Sequence, residues 1–150
     1  MSRGGTSFMD RALEEAEAAG ARGEVPVGAV MVCGGETIAA SGNRTRELND
    51  VTAHAEVLVI RGAAERLGTE RLTECDLYVT LEPCTLCAAA ISLARIRRLY
   101  YGAGDPKAGG VDHGVRFFGA PTCHHAPEVY SGIGESAASA LLRGFFRSRR

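Results

Sequence analysis

The chain has 150 residues, 45% of them hydrophobic and 23% charged, with a formal net charge of −1 at pH 7. That length suits one domain with a real core, and the composition excludes a disordered or fibrous chain. A near-neutral balance also excludes a general attraction for nucleic acid or anionic membrane, so any such affinity must come from a local patch.

Ser7 to Asp10 has the form of a capping box, and Phe8, Ala12, Leu13 and Ala16 follow at helical spacing, which predicts a helix to Gly20. "VPVGAVMVCGGETIAASG" (25–42) reads as two strands joined by a hairpin turn at Gly34-Gly35. "NRTRELNDVT" (43–52) is a polar loop. Thr52 is expected to cap a helix from Ala53 to about Leu67, with Gly68 as its stop. "DLYVTL" (76–81) is a third strand, Pro83 suits the first turn of a helix running to about Arg95, and "RRLYYG" (97–102) is a fourth strand. A helix separates the last two strands, so they are expected to be parallel. A Gly-rich loop, a short strand at 128–130 and a helix from Glu135 onward complete the chain. No repeat, low-complexity tract or linker interrupts it, so residues 1–150 are expected to form a single domain. The alternation predicts an α/β fold, a three-layer α/β/α sandwich on a mixed sheet of about five strands.

No apolar run is long enough to span a bilayer, and "MSRGGTSFMDRALEEAEAAG" has no apolar signal core. A cytoplasmic location without membrane attachment is expected, where the five cysteines stay reduced. Cys84 and Cys87 are therefore not a structural disulfide. At i and i+3 on a helix both sulfurs reach one ion, and the helix N-terminus favours the thiolate that ligates metal. His54, at the start of the earlier helix, is the obvious third ligand, because helix starts gather at the carboxyl edge of a parallel layer. Three protein ligands and a water is the catalytic zinc pattern, whereas structural sites close with four. Glu56, two residues on, is free to address that water.

Other readings of these residues stand beside this one. Cys84 and Cys87 alone also fit a redox pair, which would make the chain a thiol oxidoreductase. A closed zinc site in a non-enzymatic RNA-binding module would need Cys123 or His125 as the fourth ligand. "PTCHHAP" (121–127), with His113 upstream, is the one other stretch rich in metal ligands, yet its consecutive residues suit a packing loop better than chelation of one ion. Glu82 is the rival carboxylate to Glu56, with a role in binding backbone or orienting a ligand favoured over catalysis. Cys33 and Cys75 read as ordinary small residues.

Taken together, His54-x-Glu56 and Pro83-Cys84-x-x-Cys87 resemble the signature of zinc deaminases. "EVPVGAV", "GNR", "TAHAE", "LYVTLEPCTLCAAAI", "YYGAGDPKAGG" and "LLRGFFRSRR" extend the likeness. The chain is similar to the bacterial tRNA-specific adenosine deaminases of the cytidine-deaminase-like superfamily. The resemblance implies one zinc ion per chain on His54, Cys84 and Cys87, with Glu56 as the proton shuttle. It implies that Asn43 hydrogen-bonds the base, and that Asp105 and Lys107 lie in the loop contacting ribose or phosphate. It also implies a homodimer acting on a wobble adenosine in the tRNA anticodon loop, the alternative being a free nucleobase or nucleoside. The segment 111–127 departs from the family pattern. In "RGFFRSRR", four arginines and no acid are expected to contact RNA, and Phe145 and Phe146 to pack inward.

Overall fold

The structure is a computed structural model that describes residues 5–148, with side chains from Phe8 onward. Helix α1 (Gly5–Ala21) begins upstream of Ser7, so Ser7 lies inside the helix; its side chain is outside the described residues. Strands β1 (Gly28–Cys33) and β2 (Glu36–Gly42) form the expected hairpin, with Gly34 and Gly35 at φ of 62° and 78°, values a two-residue turn needs. β3 (Cys75–Leu81), β4 (Arg98–Ala103) and β5 (Glu128–Tyr130) complete a five-stranded sheet in the order β2-β1-β3-β4-β5. β1 is antiparallel to β2 and β3, whereas β3, β4 and β5 are mutually parallel, as a mixed sheet requires. Helices α3 (Ala55–Leu67) and α4 (Thr85–Leu93) cover one face and α1 and α5 (Glu135–Ser148) the other. The three-layer α/β/α fold is that expected from the sequence. Among the described residues no helix is long and apolar enough to cross a membrane.

Alternating residues of β3 split the core between the layers. Leu77 and Val79 pack toward Ala55, Val59, Ala88 and Ile91, while Tyr78 joins Met9, Ala12 and Val30 beneath α1. The alanine-rich face of α1 has a specific use. Ala12, Ala16 and Ala19 are fully buried, and Gly28 and Gly42 are cross-strand partners below them. A Cβ at Gly28 would lie 2.0 Å from the Ala12 carbonyl oxygen, and one at Gly42 2.7 Å from that of Glu15. The helix therefore rests directly on sheet backbone. Gly28→Ala must lift α1, and overpacking of this kind costs about 3 kcal/mol, which lowers Tm by roughly 6–12 °C. A thermal melt within 2 °C of wild type would contradict this packing.

Three further local expectations differ. Pro83 is not in the first turn of α4 but precedes its N-cap, Cys84. α3 starts at Ala55, not Ala53, because the Thr52 hydroxyl and amide both donate to Asp50, at 2.7 and 2.9 Å, and form a turn instead of a cap. The Ala55 amide instead donates to Asn43 Oδ1 at 2.8 Å. The polar loop 43–52 also contains a short helix, α2 (Thr45–Leu48), whose first amides are taken by a distant carboxylate. Glu24, 2% exposed, accepts from the N–H of Arg46 and Glu47 at 3.2 and 2.8 Å. Asn43 is held at the edge where β2, β3 and β4 end, its Oδ1 accepting from Ala55 and its own amide donating to the Val27 carbonyl at 3.0 Å.

Candidate active site

The loop after β2 and the loop after β3 bring His54 and Cys84 to this edge as the N-cap residues of α3 and α4. Both have extended backbones, with φ, ψ of −73°, 151° and −74°, 179°. Cys87 follows one turn into α4 and is buried. His54 Nδ1 lies 3.3 Å from Cys87 Sγ and 3.6 Å from Cys84 Sγ. His54, Cys84 and Cys87 are the group of metal-ligating side chains found together among the described residues, their ligand atoms all within 4.8 Å. Zn–S and Zn–N bonds of ~2.3 and ~2.0 Å at tetrahedral angles place such atoms about 3.5 Å apart, so the donor set and its spacing fit zinc.

Glu56 reaches the same cavity as His54 although only two residues separate them. His54 precedes the helix and Glu56 lies in its first turn, so helical spacing does not force them to opposite faces. The Glu56 carboxyl is 4% exposed, and burial pushes it up to about 7. The thiols behave as one acidic pair. Hydrogen bonding from Cys87, and then from His54, holds Cys84 down to about 4, while that bond and burial push the Cys87 thiol up. The first thiolate is therefore on Cys84, where the α4 N-terminus favours it.

The cavity is about 250 Å³, with Val25, Val27 and Leu81 as apolar walls and Asn43, Thr45, Glu56 and Asp105 as polar ones. It is smaller than the ~300 Å³ typical of the least drug-sized sites, which suits a single nucleobase. Asn43 Oδ1 is engaged by the Ala55 amide, so its NH₂ is the group available to a ligand. Asp105 lines the cavity, and its Oδ1 also accepts the amides of Lys107 and Ala108 at 3.2 and 3.1 Å. Ala108 shares the wall, whereas Lys107 is exposed and not part of the lining.

The segment 121–127 does not contribute ligands. Cys123 lies 3.5 Å from Ser92 and bonds the His125 carbonyl at 3.1 Å, and His125 Nε2 bonds the Ile96 carbonyl at 2.7 Å. This loop seals the far end of α4, so no fourth protein ligand comes from it. Glu82 shares the cavity wall, but its carboxylate serves the backbone of the following loop, with Asp105 N–H donating to Oε1 at 2.8 Å. On α5, Phe145 is half-buried in the groove against α1, while Phe146 is 55% exposed, contrary to the expectation that both pack inward.

A mixed α/β sheet with a His–Cys–Cys centre and a buried carboxyl beside it defines a zinc-dependent deaminase. Residues 4–103 match the cytidine and deoxycytidylate deaminase zinc-binding region. A tRNA-specific adenosine deaminase of Agrobacterium fabrum (strain C58 / ATCC 33970) is 70% identical over 145 residues, 97% of this chain and 95% of that protein. A solved chain from biochemical and structural studies of A-to-I editing by tRNA:A34 deaminases is also 70% identical, with TM-score 0.91, covering 91% of this chain and 99% of that one. A guanine deaminase from Nitrosomonas europaea is 25% identical with TM-score 0.80, covering 93% and 83% of the two chains. The chain belongs to the tRNA-specific adenosine deaminase family.

Proposed function

We propose that this chain converts adenosine at the wobble position of tRNA to inosine, releasing ammonia at the expense of one water, with one zinc ion per chain held by His54, Cys84 and Cys87. The observation that carries the chemistry is the 3.3 and 3.6 Å approach of His54 Nδ1 to two sulfurs with Glu56 on the same cavity wall. The substrate rests on the 70% identity, over nearly the whole chain, to a tRNA-specific adenosine deaminase. Zinc, when bound, supplies a Lewis acid that lowers the pKa of water to ~7. Glu56 takes a proton from the attacking water and delivers it to a ring nitrogen, then takes the second proton from the newly attached hydroxyl and gives it to the departing amine, which leaves as ammonia. Its carboxyl, raised to about 7 by burial, holds and releases a proton at neutral pH. The Asn43 NH₂ donates to the base, and Val25, Val27 and Leu81 keep bulk water out. A one-base cavity requires the target base to leave its stack, which is easiest in a single-stranded loop.

RNA contact is supported by Arg143, Arg147 and Phe146, all exposed on α5; Arg149 and Arg150 lie outside the described residues. A homodimer is supported by an apolar stripe on the outer face of α4, where Leu86 is 42% and Leu93 73% exposed. Light scattering at micromolar concentration is expected to give a dimer, and a monomer would remove that part of the reading. A tRNA substrate supports a cytoplasmic place of action for the chain, read as one domain over 1–150. An ammonia-release panel of tRNA anticodon stem-loops, adenosine, cytidine, cytosine and guanine tests the whole. Release from the stem-loop carrying adenosine at the wobble position is expected to dominate. Release from guanine or a free nucleoside alone would replace this reading with that of a small-molecule deaminase.

A further inference from the structure

Glu82 sits between β3 and Pro83, with a side chain that is 0% exposed. A carboxylate so enclosed needs several donors, and all of them come from one loop. The N–H of Asp105 and the ring of His113 donate to Oε1 at 2.8 and 2.6 Å, and the N–H groups of Val111, Asp112 and His113 to Oε2 at 3.1, 2.8 and 3.0 Å. With four backbone N–H groups donating to its two oxygens, the Glu82 carboxylate is an acceptor, and the His113 Nδ1–H donates to it.

The loop is wrapped so tightly that a Cβ at Gly109 would lie 2.5 Å from Glu82 Cδ and 2.6 Å from the Asp105 carbonyl. That explains the glycine in "DPKAGG". The Gly110 amide donates to the Pro83 carbonyl at 2.8 Å, Gly109 bridges to Cys84, and the buried Tyr101 hydroxyl donates to Asp112. The loop that carries Asp105 and Ala108 is thereby fastened to the backbone of the metal ligand Cys84.

We propose that Glu82 is a positioning residue for the substrate: its carboxylate fixes the 105–113 loop relative to the metal centre, so that Asp105 and Ala108 form one wall of the base cavity, and His113 secures the carboxylate. This rests on the reading of that cavity as the substrate site. Glu82→Gln keeps the shape but turns an NH₂ toward either the Asp105 amide or the Oε2 cluster, leaving at least one donor facing a donor. The expected result is a KM for the anticodon stem-loop raised about tenfold or more, with kcat within about threefold, zinc stoichiometric and faster amide exchange across 105–113. His113→Phe, at a ring that is 40% exposed and so tolerant of change, is expected to produce the same pattern more weakly, raising KM about threefold. It carries the test if Glu82→Gln does not fold. Wild-type KM in the folded variants, or unchanged exchange in the loop, would overturn the proposal. If the wild-type chain edits no RNA, the substrate reading has failed separately. Exchange in the free protein, and KM on whichever substrate the panel identifies, then decide the role of Glu82.

Discussion

Glu56→Gln is expected to cut turnover by about 10³-fold while leaving zinc content and Tm unchanged. The carboxyl is buried beside the two cysteines and the histidine, and burial raises it to about 7, where it both accepts and gives a proton at neutral pH. The amide preserves volume and hydrogen bonding but carries no proton between water, ring and leaving amine. The cavity's other carboxylates do not replace it: the Glu82 oxygens are occupied by the loop amides and the His113 ring, and Asp105 Oδ1 accepts the amides of Lys107 and Ala108. Turnover within tenfold of wild type would move the proton-carrying role elsewhere. Parallel loss of zinc would make the defect structural.

Cys87→Ser is expected to remove zinc and abolish activity. Cys87 is fully buried at the first turn of α4, and a serine hydroxyl at that place neither ionises nor binds zinc as a thiolate does. Because the metal binds the folded state only, its loss also lowers stability. Chelation of the wild-type protein should reduce Tm by roughly 10 °C, and the variant should melt near that lower value and not respond to chelator. A variant that retains one zinc per chain would show that Cys87 is not a ligand.

The features legible in the sequence are those whose signal is local. Gly34-Gly35 specified the hairpin, the helix between β3 and β4 specified their parallel pairing, and the Cys84–Cys87 spacing put both thiols at one helix start. Bringing His54 to them required only the rule that helix starts share a sheet edge. What sequence reading missed depends on partners far apart in the chain. Glu24 caps α2 from 22 and 23 residues away, and Asn43 takes the amide of Ala55, so Thr52 does not fill the capping role that its local pattern implies. Glu82 reads from the sequence as a binder of backbone or an orienter of a ligand, yet nothing near "EPC" reveals that its donors lie at residues 105 and 111–113. Phe146 shows the converse: on a two-sided helix end, a pair of adjacent phenylalanines cannot both face inward.

Nucleoside mapping of a tRNA whose wobble base is adenosine, after incubation with the zinc-loaded chain, tests the assigned reaction at its product. One inosine is expected, at the wobble position alone, formed in equal amount to the ammonia released and absent with Glu56→Gln. Unmodified tRNA in the presence of a folded, zinc-replete protein, or inosine formed equally well by Glu56→Gln, would contradict it.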